Sequence, residues 1–274
     1  IEAPKPRTKI MQRRVLGEIL NHLPPHDAAY GFVAGRSCAE AAAKHAGEHV
    51  VITVDLRDFF LSTPLRRVHA VFRCLGYPHA VARALTSLCS TSTPRHISAG
   101  HFDHEGCQRH LSRHLPQGAP TSPALANLAA LSLDRRLTGL ANRFDARYTR
   151  YADDLTFSGD EAFHASADRF LKAVETIGRD EGYALNAAKT RVMPRHKRQT
   201  ITGIVVNDHV NVPRDNFDAL KATLTNCLRH GAPSQNRDAH SDFRAHLDGR
   251  IAWVERLNLR RGEKLRRLFD AVAW

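Results

Sequence analysis

Five consecutive residues, Val50-Val51-Ile52-Thr53-Val54, constrain this chain more than any other stretch of it. All are β-branched and favour extended backbone, and all but Thr53 are apolar, so a strand built from them offers neither face to water. Such a strand belongs inside a sheet that is covered on both sides. It ends in Asp55, an acid delivered to the rim of a core. Far downstream, Arg147 to Ser158 reads as two short strands around Ala152-Asp153-Asp154, a hairpin with acids at its tip.

Around these strands the apolar positions recur at helical spacing. Residues 9–23 form an amphipathic pattern that Pro24-Pro25 ends, and a turn-rich stretch from Gly31 to Ser37 leads to an alanine-rich helix, Ala39 to Ala46, closed by Gly47. Further helices are expected over Pro64 to Leu75, Pro78 to Cys89, Pro123 to Leu140 and Asp160 to Gly178. Thr200 to Val206 reads as one strand, with Asn207-Asp208 as the turn before Val210. Beyond Pro213 the chain turns helical and basic. The class is therefore α+β.

Forty Lys and Arg against 28 Asp and Glu give a formal charge of +12, which makes nucleic acid the default partner, although charge alone does not choose a chemistry. No apolar run is long enough to span a bilayer, and Ile1 to Pro6 lack the pattern of a signal peptide, so a cytoplasmic protein without a membrane partner is expected. Ile1-Glu2-Ala3-Pro4-Lys5 reads as the end of a strand begun upstream. The cysteines, five in number, are scattered without a C-x-x-C pair, which argues against a disulfide framework. His96, His101, His104, Cys107, His110 and His114 crowd one loop, but their spacing matches no zinc finger, and a solvated or RNA-contacting loop is the preferred reading.

Asp55 and the pair Asp153-Asp154 can do phosphoryl transfer by the two-metal route, in which carboxylates from separate strand ends hold two Mg²⁺ about 3.5–4 Å apart. A solvated turn is the ordinary reading of an isolated Asp-Asp pair. Between two strands, such a pair costs several kcal/mol through desolvation and repulsion unless cations neutralise it.

Tyr151-Ala152-Asp153-Asp154 resembles the Tyr-x-Asp-Asp box of reverse transcriptases, and Val54-Asp55-Leu56-Arg57-Asp58-Phe59-Phe60 resembles that family's first carboxylate motif. Leu115-Pro116-Gln117-Gly118-Ala119-Pro120-Thr121-Ser122-Pro123, Leu185-Asn186-Ala187-Ala188-Lys189-Thr190 and Thr202-Gly203-Ile204-Val205-Val206-Asn207 resemble its template, lysine and primer-side motifs, in the family's order. The resemblance implies a right-hand polymerase: fingers over 1–50 and 78–114, a palm with an antiparallel sheet over 51–77 and 115–207, and a helical basic thumb over 208–274. It implies catalytic Asp55, Asp153, Asp154 and Lys189, with two Mg²⁺ held by the aspartates and the Leu56 carbonyl. Leu56, Phe60, Gln117 and Gly118 would meet the incoming nucleotide, Phe60 as a gate against a ribose 2′-hydroxyl, while Phe59 packs the core. Tyr151, Arg250, Arg256 and Arg260 would contact nucleic acid, and Trp253 is expected to pack between helices rather than stack on a duplex.

The retron branch is implied by Gly31-Phe32-Val33-Ala34-Gly35-Arg36-Ser37, by Ile201-Thr202-Gly203 and by Ala41-Ala42-Ala43-Lys44-His45, where Ala41 stands in place of the branch's asparagine. A retron enzyme would copy a structured non-coding RNA from deoxynucleoside triphosphates into a short RNA-linked DNA and serve anti-phage defence with an effector protein. The rivals are a non-retron bacterial reverse transcriptase, an RNA-directed RNA polymerase, which Phe60 disfavours, and a catalytically silent RNA-binding scaffold, which the intact aspartates disfavour.

Overall fold

A computed structural model describes residues 2–98 and 104–274 and has the expected mixture of helix and strand. The chain divides into two compact units, Ile1–Ala41 with His49–Pro194, and Ala42–Glu48 with Arg195–Trp274.

In the first unit, β1 (Val50–Asp55), β2 (Arg147–Tyr151), β3 (Asp154–Gly159) and β4 (Arg191–Pro194) form an antiparallel sheet in the order β2-β3-β1-β4. The β-branched run is an inner strand, buried at every position but Thr53, as its composition requires. β4 was not anticipated: it is four residues long, with Arg191 and Pro194 at its ends, and pairs Thr53 through Val50 with Arg191 through Pro194. A proline is tolerated there because β4 is an edge strand.

One face of the sheet is covered by the helix Ala167–Asp180, whose buried stripe is Ala167, Phe170, Val174 and Gly178. The Phe170 ring meets Phe157 and Phe163 edge-on, each at 4.9 Å between centroids, and Tyr148 stacks on Phe157 at 4.9 Å. The helix expected over Pro123 to Leu140 is broken at Ala130 into Ser122–Ala129 and Leu131–Arg143. The first piece buries Leu125 through Ala129 without interruption, the second only the stripe Leu133, Asp134, Leu137 and Ala141. The expected helix from Asp160 likewise divides at Ser166.

In the second unit, the single strand expected over Thr200 to Val206 is instead a hairpin of β5 (Thr200–Ile201) and β6 (Ile204–Val205). Thr202 (φ 46°) and Gly203 (φ 82°) are both left-handed, the geometry that lets two residues reverse a twisted strand pair. Helices Arg214–His230, Phe243–Leu257 and Leu259–Asp270 follow, joined through buried Leu220, Leu224, Leu247, Ile251, Leu265 and Phe269. Among the described residues, no helix is long and apolar enough to cross a membrane.

Candidate active site

The register of the sheet brings the acids together. Asp55, the last residue of β1, pairs across the ladder with Asp154, the first of β3, and Asp154 also pairs with Tyr151 at the end of β2. Ala152 and Asp153 are the whole link between β2 and β3, and the Leu56 amide donates to the Asp153 carbonyl at 2.9 Å. Asp55 is buried, and Asp153 and Asp154 are half-buried. Burial, then the charges of Asp153 and Asp55, push the Asp154 carboxyl up to about 6 against the opposing pull of Lys189; burial is also the main cause that raises Asp153.

Lys189 supplies the counter-charge. The segment before it zips onto the end of β1, with the Asn186 amide donating to the Asp55 carbonyl and the Arg57 amide to the Ala184 carbonyl, each at 2.8 Å. Lys189 Nζ then donates to Asp55 Oδ2 at 3.0 Å, a bond that, with the Asp55 charge, raises the lysine's pKa. Asp55, Leu56, Phe60, Gln117, Asp153 and Lys189 line one cleft of 520 Å³. Asp154, Gly118 and Tyr151 adjoin that lining in sequence without belonging to it; Phe59 borders the cleft but is buried in the core, its ring 5.7 Å from that of Tyr183.

Among the described residues, no three acids, imidazoles or thiols stand together as a ready-made metal cluster. The donor set nonetheless suits a hard divalent cation: carboxylate oxygens on adjoining strand ends, where burial and then the neighbouring charges raise the Asp154 carboxyl, a cost that a cation would relieve.

The turn that carries Asp153 is braced from behind. Ala152 is left-handed (φ 57°), and a Cβ added to Gly31 would lie 2.4 Å from the Ala152 amide nitrogen, so only glycine lets the two backbones approach this closely. Asn127 Nδ2 donates to the Gly31 carbonyl at 2.9 Å. Arg150, wholly buried, donates to both oxygens of buried Asp134 at 2.8 and 2.6 Å, to Asn127 Oδ1 at 2.9 Å and to the Ala152 carbonyl at 3.0 Å. Tyr148 Oη donates to Asp134 at 2.8 Å, and burial together with the Asp134 charge holds that phenol well above its usual range, so it stays a donor.

With this site in view, the likenesses to known proteins are specific. The family model for reverse transcriptase (RNA-dependent DNA polymerase) matches residues 1–206, more than half of the chain. This chain belongs to the reverse transcriptase family. The chain is 42% identical over 270 residues to the retron Mx65 reverse transcriptase of Myxococcus xanthus, an alignment covering 97% of the chain and 60% of that protein. It is 40% identical over 256 residues to the retron Mx162 reverse transcriptase of the same species (87% and 52%), and 32% identical over 228 residues to the retron Ec86 reverse transcriptase of Escherichia coli (82% and 63%). The chain thus spans less than two thirds of the length of each of these relatives. The α+β architecture with its antiparallel acidic sheet is the right-hand polymerase fold of the reverse transcriptase family.

Sequence reasoning missed the brace of this family member. Asn127 inside the otherwise apolar run Ala124-Leu125-Ala126-Asn127-Leu128-Ala129 was the available signal. In the second unit Arg250, Arg256 and Arg260 are exposed. Trp253 is 38% exposed, which corrects the expectation that it packs between helices: it stands three residues from both Arg250 and Arg256 along the same helix. Arg266 is tied to Glu255 and Asp248, and Arg261 lies over the Phe217 ring. Of the histidine-rich loop, His101 and the side chains of His104 and Cys107 lie outside the described residues; His114 is buried and bonded to Glu2 at 2.8 Å.

Proposed function

We propose that this chain is an RNA-directed DNA polymerase of the retron type, extending a DNA primer strand on a structured non-coding RNA from deoxynucleoside triphosphates. The observation that carries the reading is the pairing of Asp55 with Asp154, with Asp153 on the adjoining turn and Lys189 bonded to Asp55. Residues 1–50 and 78–114 serve as fingers, 51–77 and 115–207 as palm, and 208–274 as thumb. Asp55, Asp153, Asp154 and the Leu56 carbonyl hold two Mg²⁺, which supply Lewis acidity to the attacking hydroxyl and the leaving oxygen when bound.

The chain's own groups do the rest. Phe60 closes the sugar side of the cleft, where a 2′-hydroxyl would lose water without gaining a partner. Gln117 presents an exposed amide to the nucleotide, and the glycine at 118 lets the backbone come close. The Lys189 ammonium turns from Asp55 to the triphosphate and protonates or neutralises the departing pyrophosphate. Tyr151 contacts the primer strand, and Arg250, Arg256 and Arg260 grip phosphates, with exposed Trp253 beside them as a stacking face. By kinship with retron enzymes, the product is a short DNA joined to RNA, made in the cytoplasm for anti-phage defence with an effector protein.

The test is to express the protein with its genomic flanks and sequence the nucleic acid that co-purifies, beside an Asp153→Ala/Asp154→Ala form. A short RNA-linked DNA absent from the variant supports the retron reading. RNA alone in both, with no DNA made on a primed RNA template in Mg²⁺, leaves an RNA-binding scaffold in its place.

A further inference from the structure

The loop between Pro25 and the helix Cys38–Ala43 holds a residue that the roles assigned above leave out. Phe32 is 50% exposed, although most of the phenylalanines around the sheet are buried. Its backbone is left-handed (φ 62°), a conformation that a bulky side chain adopts at a cost and that glycine or asparagine adopts easily. Strain of this kind, on an exposed aromatic beside a reactive cleft, is characteristic of residues kept for what they touch.

The loop is not a slack connection. Arg36 Nη1 donates to the carbonyls of His26, Asp27 and Ala29 at 2.9, 3.0 and 2.7 Å, closing the loop on itself. The Tyr30 amide donates to the Arg150 carbonyl at 2.7 Å, and Gly31 is wedged against the turn that carries Asp153. Phe32 therefore follows directly on the residue that touches the catalytic turn. Its ring lies in the wall of the 520 Å³ cleft with Asp55, Asp153 and Lys189, 5.9 Å from the ring of Phe60 and inclined to it by 46°.

We propose that Phe32 is a second specificity-determining residue of the nucleotide site, forming with Phe60 a two-ring apolar wall against the sugar and base of the incoming 2′-deoxynucleoside triphosphate. This rests on the polymerase reading above. Neither ring offers an acceptor or a strong donor. A C2′ methylene packs against such a wall, whereas a 2′-hydroxyl placed there gives up its water without replacement. One ring can turn aside, but two neighbouring rings, 5.9 Å apart between centroids, limit each other's rotation, so the wall discriminates better than either alone.

The experiment is single-nucleotide incorporation on a primed RNA template in Mg²⁺, with matched deoxy- and ribonucleoside triphosphates, for the parent, Phe32→Ala, Phe32→Gly and Phe60→Val. Phe32→Ala and Phe32→Gly are expected to raise the deoxynucleotide KM roughly tenfold and to lower the deoxy-to-ribo ratio of kcat/KM by about tenfold. Primer–template affinity and the unfolding midpoint should hold, and Phe32→Gly, freed of the left-handed strain, should be at least as stable as the parent. Part of the Phe32 effect should persist in a Phe60→Val background. If Phe60→Val relaxes sugar selection but the Phe32 variants select as the parent does, or lose kcat equally for both sugars at unchanged KM, Phe32 is no part of the wall. An effect that vanishes entirely once Phe60 is gone also overturns it, since Phe32 then only props its neighbour. If the parent itself makes no DNA, the polymerase reading falls, and this inference falls with it.

Discussion

The two sides of the cleft are built differently. The acidic side stands on strand ends: Asp55 and Asp154 are fixed by ladder pairing, and the Asp153 turn is pinned by Gly31 and the buried set of Arg150, Asp134 and Asn127. The basic side stands on a surface segment, with the Lys189 side chain 63% exposed at the end of a flexible stem and held by one bond to Asp55. Groups that hold metal ions must keep their geometry, because a displacement of about 1 Å can cost a hundredfold in rate. On the function proposed for Lys189, a cation that meets a departing pyrophosphate must be free to move. The difference lies in where each group finds its hydrogen bonds: carboxylates in a rigid sheet, the ammonium in solvent.

Breaking the rigid side should have the largest effect. Arg150→Met leaves Asp134 buried without its counter-charge and the Ala152 carbonyl without its donor, and should destabilise the protein by about 3–5 kcal/mol, read as a shift in the urea unfolding midpoint. A variant that unfolds like the parent would mean that the brace is redundant. Breaking the mobile side should do the opposite. Lys189→Met should shift the unfolding midpoint far less than Arg150→Met does, because the lysine side chain is largely solvated, yet slow DNA synthesis roughly a hundredfold or more. A stability loss comparable to that of Arg150→Met would erase the contrast between the two sides.

The sequence told these sides apart only in part. The acids were legible because their context is local: a β-branched run ending in Asp55, and two short strands flanking Asp153-Asp154. Lys189 was legible through a motif, not through physics, since an exposed lysine has no periodicity to betray it. The brace was not legible because its members lie on separate elements: Arg150 on β2, Asp134 and Asn127 on two different helices and Gly31 in a loop, and pairing among distant polar groups leaves no pattern along the chain. β4 was missed for a related reason: four residues that begin with an arginine and end with a proline carry no strand pattern of their own and pair along the edge that β1 offers. Trp253 was misjudged because an apolar residue in an amphipathic helix is assigned to the core by default, and its position on the basic face emerges only when the helix is placed.

A pH-dependent effect tests how far the acidic side is strained by burial and by its own charge. The Asp154 carboxyl, at about 6 in the folded protein against 3.8 for a free aspartate, binds its proton more tightly when folded than when unfolded. The stabilisation from that proton is therefore complete below about pH 4 and is lost as the pH rises through about 6. Asp154→Asn removes this dependence. The parent and Asp154→Asn should show melting temperatures that differ by a constant amount at low pH and diverge in favour of the asparagine form between pH 4 and pH 7, in buffer without divalent cations. Adding Mg²⁺ at pH 7 should raise the melting temperature of the parent more than that of the variant, because a bound cation replaces the proton as the partner of these carboxylates. Parallel pH profiles would show that neither burial nor its charged neighbours strain Asp154, and an equal response to Mg²⁺ would take it out of the metal ligands while leaving Asp55 and Asp153 to be examined by the same substitution. Since the asparagine form should also make no DNA, a gain in stability accompanied by a loss of synthesis would locate the cost of the active site in the charge that the rigid sheet holds in place.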